Sequence, residues 1–293
     1  MTIGIIPNTS KKNIPNIVAK IVAQLRDNNF DCVVSESLKK FHDQFDSSLK
    51  AATFLPNNEL CKLSDMVVSI GGDGTMLNTA YEAREYCTPI VGVNFGKLGF
   101  LAEFDMDSFE EFLGDIKTKN YIIEERMALI ASCKNSGKNL YAINDLVIDK
   151  GPWPKMIELT IKVDDDYVST FSADGIIIAT PTGSTGYSLS VGGPIVNPKA
   201  KVITISPIAP HTLTMRPLVI SSAQKITVNV NSPSDKIQIS CDGQRVQFFE
   251  PPASLTIEKS QNPVRLAHSK RTSYFEILRN KLYWGLDVRN SNN

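Results

Sequence analysis

The residues that best combine reactive chemistry with an unusual spacing lie at Ser69 to Leu77, which read SIGGDGTML. One carboxylate, Asp73, stands between glycines directly after the apolar run Met66 to Ile70. An Asp-Gly pair is common in tight turns, so the motif alone favours a turn. A carboxylate in a bare glycine loop also suits a phosphate site that contains a general base. The remaining sequence has to separate these two interpretations.

A second glycine-rich stretch, Thr180 to Pro194, reads TPTGSTGYSLSVGGP. It follows the apolar run Gly175 to Ala179, and its residues Tyr187, Leu189 and Val191 would serve no purpose in a flexible linker. Glycines let a ligand approach the backbone, and N–H groups and hydroxyls donate to phosphate or ribose oxygens. We therefore expect a nucleotide-binding loop that leads into a helix. The chain lacks G-x-x-x-x-G-K-[ST], and G-x-G-x-x-G after its first strand, which disfavours ordinary P-loop enzymes and dinucleotide-dependent dehydrogenases.

The first 120 residues alternate between strand-like and helix-like patterns. Strands are predicted at Ile3 to Ile6, Asp31 to Ser35, Asp65 to Ile70 and Pro89 to Val93, and helices at Thr75 to Tyr86 and Asp107 to Ile116. This alternation predicts an α/β domain, Rossmann-like, with a mostly parallel sheet. Ligands bind beyond the carboxyl ends of the strands in such sheets, which is where the Asp73 loop falls.

After about residue 120, short β-branched runs separated by turn residues predict an all-β domain. The predicted strands are 157–163, 175–179, 201–205, 225–230, 236–240 and 254–257. Helical spacing returns at Tyr274 to Trp284, and this C-terminal helix is expected to return to the first domain. We therefore expect an α/β domain at 1–120, a β-rich domain at 121–268 and a C-terminal segment at 269–293 that packs back on the first domain.

Composition excludes several classes of protein. Lys+Arg and Asp+Glu are equal at 31 each, which argues against a nonspecific nucleic-acid binder. The five cysteines form no Cys-x-x-Cys pair, so free thiols in a reducing compartment are expected rather than a metal or disulfide framework. The N-terminus has no basic stretch before its apolar residues, so a first strand is expected there rather than a signal peptide, and no apolar run is long enough to span a membrane. A cytoplasmic protein without a membrane partner is expected.

Taken in order, the motifs resemble the NAD kinase family, specifically its bacterial type, over nearly the whole chain. GGDG alone also occurs in lipid kinases and phosphofructokinases, but the combination is specific. The matching segments are GGDGT (Gly71 to Thr75), NFGKLGFL (Asn94 to Leu101), Asn144-Asp145, TPTGST (Thr180 to Thr185), SPIAPHTLTMRPLVI (Ser206 to Ile220) and SCDGQ (Ser240 to Gln244).

The resemblance implies transfer of a phosphoryl group from ATP to the 2′-hydroxyl of the adenosine ribose of NAD, giving NADP. It implies that the β-rich domain binds NAD and that the active site lies in the cleft between the two domains. Family members are typically homo-oligomers, and a dimer or tetramer is expected. They need a divalent cation, usually Mg²⁺, for which the sequence indicates no protein ligands.

Asp73 is expected to act as the general base, because a ribose hydroxyl is a poor nucleophile at neutral pH. Gly72 and Gly74 would present backbone donors to phosphate oxygens. The resemblance implies that Asn144 and Asp145 hold the nucleoside end of the substrate. Phe95 is expected near the adenine, and Asp174 is expected to accept from a ribose or amide group. Lys155 and Ser172 are expected to contact ligand from the same or a neighbouring subunit. The other expected binding residues are Gln244 and the loop residues Thr185, Gly186, Tyr187, Ser188, Leu189 and Ser190.

Two positions depart from the family pattern. Gly186 stands where many relatives have alanine, and Asp145 stands where glutamate is common. Two alternative functions remain open at this point. A lipid kinase of the GGDG superfamily, similar to diacylglycerol kinases, should lack the TPTGST loop, and a non-catalytic NAD sensor would have lost Asp73. The sequence also leaves open whether polyphosphate replaces ATP as donor and whether NAD or NADH is the acceptor.

Overall fold

The computed structural model describes residues 1–11, 13–96, 99–134, 137, 139–271, 273–283 and 285. The chain forms two compact units. Unit 1 comprises residues 1–125 and the chain from residue 264 onward, and unit 2 comprises residues 126–263. The two units differ in their secondary structure, as the change of pattern near residue 120 predicts.

Unit 1 contains one seven-stranded sheet flanked by helices. Its strands are β1 (Thr2–Pro7), β2 (Asp31–Ser35), β3 (Thr53–Leu55), β4 (Met66–Ile70), β5 (Ile90–Val93), β6 (Tyr121–Arg126) and β19 (Val264–Ser269), in the order β3-β2-β1-β4-β5-β19-β6. From β3 across to β19, neighbouring strands run parallel. All five residues of β4 are buried, as expected for a central parallel strand covered on both faces.

Each helix of unit 1 buries at least one apolar residue. The helices are α1 (Ile14–Asp27), α2 (Ser47–Lys50), α3 (Asn57–Leu63), α4 (Asp73–Ala83), α5 (Met106–Lys117) and α7 (Tyr274–Leu282), with a 3-10 helix at Glu36–Gln44. In α1 the buried residues Val18, Ile21 and Leu25 recur at helical spacing. The helix predicted from Thr75 begins earlier, at Asp73, so this carboxylate lies in the first turn. Trp284, the predicted end of the last helix, lies outside the described residues.

Unit 2 consists of two antiparallel six-stranded sheets. Its strands are β7 (Leu129–Cys133), β8 (Asn139–Ala142), β9 (Asp145–Asp149), β10 (Ile157–Val163), β11 (Asp166–Ala173), β12 (Gly175–Ala179), β13 (Val202–Ile208), β14 (Leu218–Ser221), β15 (Ile226–Asn231), β16 (Ile237–Cys241), β17 (Arg245–Phe249) and β18 (Ala253–Lys259). The sheet orders are β11-β10-β15-β18-β7-β8 and β14-β13-β12-β9-β16-β17. One hydrophobic core takes residues from both sheets, for example Leu159 of β10 and Ile176 of β12.

These observations confirm the expected fold class, an α/β unit with a mostly parallel sheet followed by an all-β unit. Within the described residues, no helix has both the length and the apolar character needed to cross a membrane.

Candidate active site

The GGDG loop joins the carboxyl end of β4 to the start of α4. The Gly71 N–H donates to the Val93 carbonyl at 2.9 Å, which ties the loop to β5. Gly71 has φ +155°, and a Cβ there would lie 2.8 Å from the Thr75 Cβ. Only glycine fits this position, so the chain can turn sharply and begin α4 at Asp73.

The Asp73 carboxylate is held by a short segment that follows in the chain. Its Oδ2 accepts the Phe100 N–H at 2.8 Å, and its Oδ1 accepts the Leu101 and Ala102 N–H groups at 3.0 and 3.2 Å. A Cβ at Gly99 would overlap this carboxylate, so the absence of a side chain lets the segment pass so close. A carboxylate offers about four lone-pair sites, and these bonds use three of them. One acceptor position, on Oδ2, is left for a further donor.

The same segment belongs to the motif NFGKLGFL, of which Lys97 and Leu98 lie outside the described residues. Its far end returns to β5, where the Phe104 N–H donates to the Gly92 carbonyl at 3.1 Å. Phe95, which was expected near the adenine, is half-buried and packs against the core of unit 1. Gly72 is the residue before α4, and Gly74 is exposed in its first turn.

Unit 2 has a cavity of about 430 Å³ against the outer face of its second sheet. Strand alternation places Asp145, Val147 and Asp149 of β9 on this face, because Leu146 and Ile148 turn into the core. The lining residues are Asn144, Asp145, Val147, Asp149, Gly186, Tyr187, Gln238, Ser240, Asp242 and Gly243. The predicted residues Asn144, Asp145, Gly186 and Tyr187 therefore come together here.

Two features of Asn144 and Asp145 suit a polar ligand. The Asn144 Oδ1 atom is buried and, in the described structure, accepts no hydrogen bond. Such an atom carries a desolvation cost that a ligand donor would remove. Burial, and then the negative charge of Asp242, raises the pKa of Asp145 to about 7. This carboxyl group is therefore poised between its acceptor form and its donor form near neutral pH.

The glycine-rich stretch after β12 forms a 3-10 helix at Thr182–Thr185 and the short helix α6 at Tyr187–Ser190. Its backbone packs directly on Asn144, since a Cβ at Gly183 would overlap the Asn144 carbonyl. Tyr187 is exposed beside the cavity, whereas Ser188 is fully buried and its hydroxyl lies 3.1 Å from that of Ser206. Thr185 and Leu189 are half-buried and Ser190 is exposed, and none of these three lines the cavity in the described structure.

Four other predicted residues lie outside the lining of this cavity. Asp174 pairs with the Lys150 ammonium group at 2.8 Å, so part of its acceptor capacity is used. Lys155 is exposed before β10, and Ser172 is exposed on the edge strand β11. Gln244 is exposed in the turn between β16 and β17.

The structure also brings in residues that were not predicted as site residues, namely Asp149, Gln238, Ser240 and above all Asp242. Asp242 and Gly243 are visible in the sequence as an Asp-Gly pair between two β-like runs, which predicts a turn. The pattern carries no sign that the Asp242 side chain points back to Asn144. Burial raises the pKa of Asp149, which lies beside Gln238 in the same cavity.

The described side chains contain no group of three or more His, Cys, Asp or Glu residues arranged to hold a metal ion. They therefore do not fit a dedicated protein cage for a cation. Mg²⁺ usually enters with substrate phosphates and keeps several waters, so such a cage is not needed for a nucleotide-dependent reaction.

Comparison with known proteins matches both parts of the chain. The family model of the ATP-NAD kinase N-terminal domain matches residues 3–121, and that of the ATP-NAD kinase C-terminal domain matches residues 143–269. The chain is 36% identical over 287 residues to the NAD kinase of Chloroherpeton thalassium, covering 97% of this chain and 98% of the relative. It is 39% identical to the NAD kinase of Chlorobium phaeobacteroides, with the same coverage.

Solved structures agree with this result. An NAD kinase from Archaeoglobus fulgidus in complex with ATP superposes with a TM-score of 0.77 at 28% identity, over 97% of this chain and 99% of that chain. Yeast NADH kinase complexed with NADH has the same fold, with a TM-score of 0.91 at 22% identity over 99% of this chain and 89% of the other. Fold and relatives together define a phosphotransferase that acts on a nucleotide. The chain belongs to the ATP-NAD kinase family.

Proposed function

We propose that this family member transfers the terminal phosphoryl group of ATP to the 2′-hydroxyl of the adenosine ribose of NAD, with Asp73 as general base. The product is NADP. The observation that carries the proposal is the Asp73 carboxylate, fixed at the start of α4 with one acceptor position left on Oδ2. Membership of the family makes the lipid kinase and the NAD sensor the less favoured functions.

In the proposed step, the substrate hydroxyl donates to the Asp73 Oδ2 atom. As the ribose oxygen forms its bond to the terminal phosphorus, the O–H proton moves to Oδ2. The bond from that phosphorus to the bridging oxygen of ATP breaks, and ADP leaves. Positioned general-base catalysis contributes about 10²–10⁴-fold to such a rate.

Binding is assigned to the GGDG loop and to the Asn144-Asp145 pair, on which the second glycine-rich loop packs. The N-terminus of α4, with Gly72 and Gly74, suits phosphate oxygens, because the first turn of a helix offers N–H donors and the positive end of the helix dipole. Asn144 and Asp145 are proposed to hold the nucleoside end of the dinucleotide in the unit 2 cavity. Mg²⁺ is proposed to arrive with the triphosphate and to neutralise its charge.

The first test is an activity assay. The purified protein is incubated with NAD, ATP and Mg²⁺, and NADP is detected with an NADP-specific dehydrogenase. We expect a signal that needs all three components and falls to background in Asp73→Asn. A signal with polyphosphate but none with ATP would change the donor, and NADH in place of NAD tests the acceptor. Binding of NAD without NADP formation from any donor would favour the sensor.

Two properties beyond the chemistry are also proposed. The protein is expected to be a homo-oligomer, a dimer or tetramer, in which exposed Lys155 and Ser172 contact the ligand of a neighbouring subunit. Light scattering tests the assembly, and mixing Lys155→Ala with Asp73→Asn subunits tests for shared sites, because partial recovery of activity requires a contribution across subunits.

A cytoplasmic location is supported by five free cysteines, which suit a reducing compartment. Fractionation of cells that express a tagged chain tests the location.

A further inference from the structure

One buried carboxylate of unit 2 controls the backbone of the residues proposed to bind NAD. The Asp242 Oδ1 atom accepts three consecutive N–H groups, from Ile143 at 2.8 Å, Asn144 at 2.7 Å and Asp145 at 3.3 Å. The Asp242 N–H in turn donates to the Asp145 carbonyl at 2.9 Å. Four hydrogen bonds thus connect one residue to a segment that lies almost one hundred positions earlier in the chain.

The local sequence explains how Asp242 reaches this position. Asp242 and Gly243 have φ of +54° and +66°, and the Gln244 N–H returns to the Cys241 carbonyl at 3.1 Å. Positive φ at both central residues is the geometry of a tight hairpin turn that favours Asp-Gly. The turn joins β16 to β17, so a rigid sheet supports the carboxylate. Its side chain is fully buried, and the Arg245 guanidinium pairs with its Oδ2 atom.

The opposite side of the same segment is held by the glycine-rich loop. The Thr180 N–H donates to the Asn144 carbonyl at 2.9 Å, and the Thr180 hydroxyl donates to the Ile143 carbonyl at 2.6 Å. Asp242 therefore binds the three N–H groups and the Asp145 carbonyl of the segment, while Thr180 binds the Ile143 and Asn144 carbonyls. With the backbone fixed from both sides, the Asn144 and Asp145 side chains are the parts that remain for the cavity.

We propose that Asp242 is a positioning residue for dinucleotide binding, which acts by fixing the backbone of Ile143 to Asp145 and so the direction of the Asn144 and Asp145 side chains. The inference rests on the proposed function, because it assigns the unit 2 cavity to the dinucleotide. Asp242 makes no bond in the reaction and acts through its neighbours.

Its charge provides a second readout. Asp145 feels the nearby negative charge of Asp242, and the other titratable side chains that line the cavity are Asp149 and Tyr187, with Arg245 paired to Asp242. Asp242→Asn removes the negative charge near Asp145 and leaves the positive charge of Arg245. Ionisation of Asp145 should therefore become easier. The pH at which Asp145 titrates should therefore fall in Asp242→Asn, which a purely structural role would not require.

The experiment compares Asp242→Asn and Asp242→Ala with the matched control Asp164→Asn. Asp164 also has positive φ (+49°) and its carboxylate also accepts a distant backbone N–H, from Lys225 at 2.8 Å, but it is exposed and away from the cavity. For each variant we would measure melting temperature, kcat, KM for NAD and the pH profile of kcat/KM.

We expect Asp242→Ala to raise KM for NAD by about tenfold or more while kcat changes less, because hydrogen bonds to a charged group are lost from a binding element. In Asp242→Asn, which keeps an acceptor oxygen, KM should rise less, and the acid limb of the profile should move to lower pH. Asp164→Asn should change neither quantity.

Two results would overturn the inference. One is a folded Asp242→Asn enzyme with wild-type KM and an unmoved pH profile. The other is a loss of melting temperature in both Asp242 variants with KM unchanged in the folded fraction. Calorimetric titration with NAD separates this inference from the proposed function, because weaker NAD binding in Asp242→Ala would support the positioning role even in a protein that formed no NADP.

Discussion

Two aspartates in different units of this protein are held by the same arrangement of backbone hydrogen bonds. Asp73 and Asp242 each accept three backbone N–H groups from a short distant segment, 100–102 in unit 1 and 143–145 in unit 2. The two carboxylates differ in whether an acceptor position on Oδ2 remains for a further donor. Asp242 is fully buried and its second oxygen is taken by Arg245, whereas Asp73 is partly exposed and keeps an acceptor position on Oδ2.

This difference shows how one local arrangement serves two purposes. Backbone N–H donors fix the orientation of the carboxylate in both cases. When a counter-ion fills the remaining site, the carboxylate can only organise its neighbours. When that site remains accessible, the carboxylate can still accept a proton from a substrate.

The largest effect is expected for Asp73→Asn. The amide keeps the size of the side chain but cannot take the ribose proton, so kcat should fall by at least about 10²–10⁴-fold. KM for NAD should change much less, because the cavity in unit 2 is untouched. Steady-state kinetics on Asp73→Asn and Asp242→Asn side by side measures the contrast, and a loss of kcat of similar size in both variants would abolish it.

The next largest effect is expected for Gly99→Ala. A methyl group there would overlap the Asp73 carboxylate, so either the carboxylate or the 100–102 segment must move. Displacement of a catalytic group by about 1 Å can cost about 10²-fold in rate. We therefore expect a large fall in kcat with a folded protein.

Gly96→Ala is the matched control for this variant. It adds the same methyl group to the same loop, where the nearest atom, Asn94 Oδ1, would lie 3.8 Å away. Circular dichroism and thermal melts would verify folding in both. Equal kcat values for the two variants would mean that the distance between Gly99 and Asp73 has no catalytic consequence.

The sequence predicts the fold class well, because the alternation of strands and helices and the later run of short strands are local patterns. The pattern of Asp31 to Ser35 predicts a strand with the observed bounds, and the apolar run before Asp73 predicts the buried strand β4. No local pattern indicated that β19 would join β5 through Leu266 and Ile90, or that Asp242 would hold Asn144. These contacts join residues far apart in the chain, and they depend on side-chain direction in turns whose sequence predicts only a turn.

A smaller effect concerns Asp145 and the pH dependence of stability. Its pKa is raised from the ordinary value of 3.8 to about 7, so the folded protein holds this proton more tightly than the unfolded chain. The stability from this group is complete below about pH 4 and is lost as the pH rises through 7. The amide introduced by Asp145→Asn cannot ionise. The gain in free energy of unfolding over wild type should therefore be larger at pH 8 than at pH 5, by roughly 2–3 kcal/mol.

Melting curves of wild type and Asp145→Asn at the two pH values measure this difference. Asp164→Asn serves as the control, because backbone hydrogen bonding lowers the pKa of Asp164 and both pH values lie above its titration. Its effect on the melting temperature should therefore be the same at pH 5 and pH 8. If Asp145→Asn also changed the melting temperature equally at pH 5 and pH 8, Asp145 would not titrate near neutral pH.

The smallest effect is expected for Gly186→Ala, which adds one methyl group to the glycine-rich loop. Gly186 has φ of −93°, and an added Cβ would lie 3.2 Å from the Gly183 carbonyl oxygen and 3.7 Å from Asp145 Oδ2. These contacts need only a slight adjustment, so KM for NAD should stay within about threefold of wild type. Gly183→Ala adds the same methyl group three residues earlier, where it overlaps the Asn144 carbonyl, and should raise KM for NAD by about tenfold or more. If both variants weakened NAD binding equally, close packing of the loop on Asn144 would not be what positions the binding residues, and the fixed backbone of unit 2 would lose its proposed role.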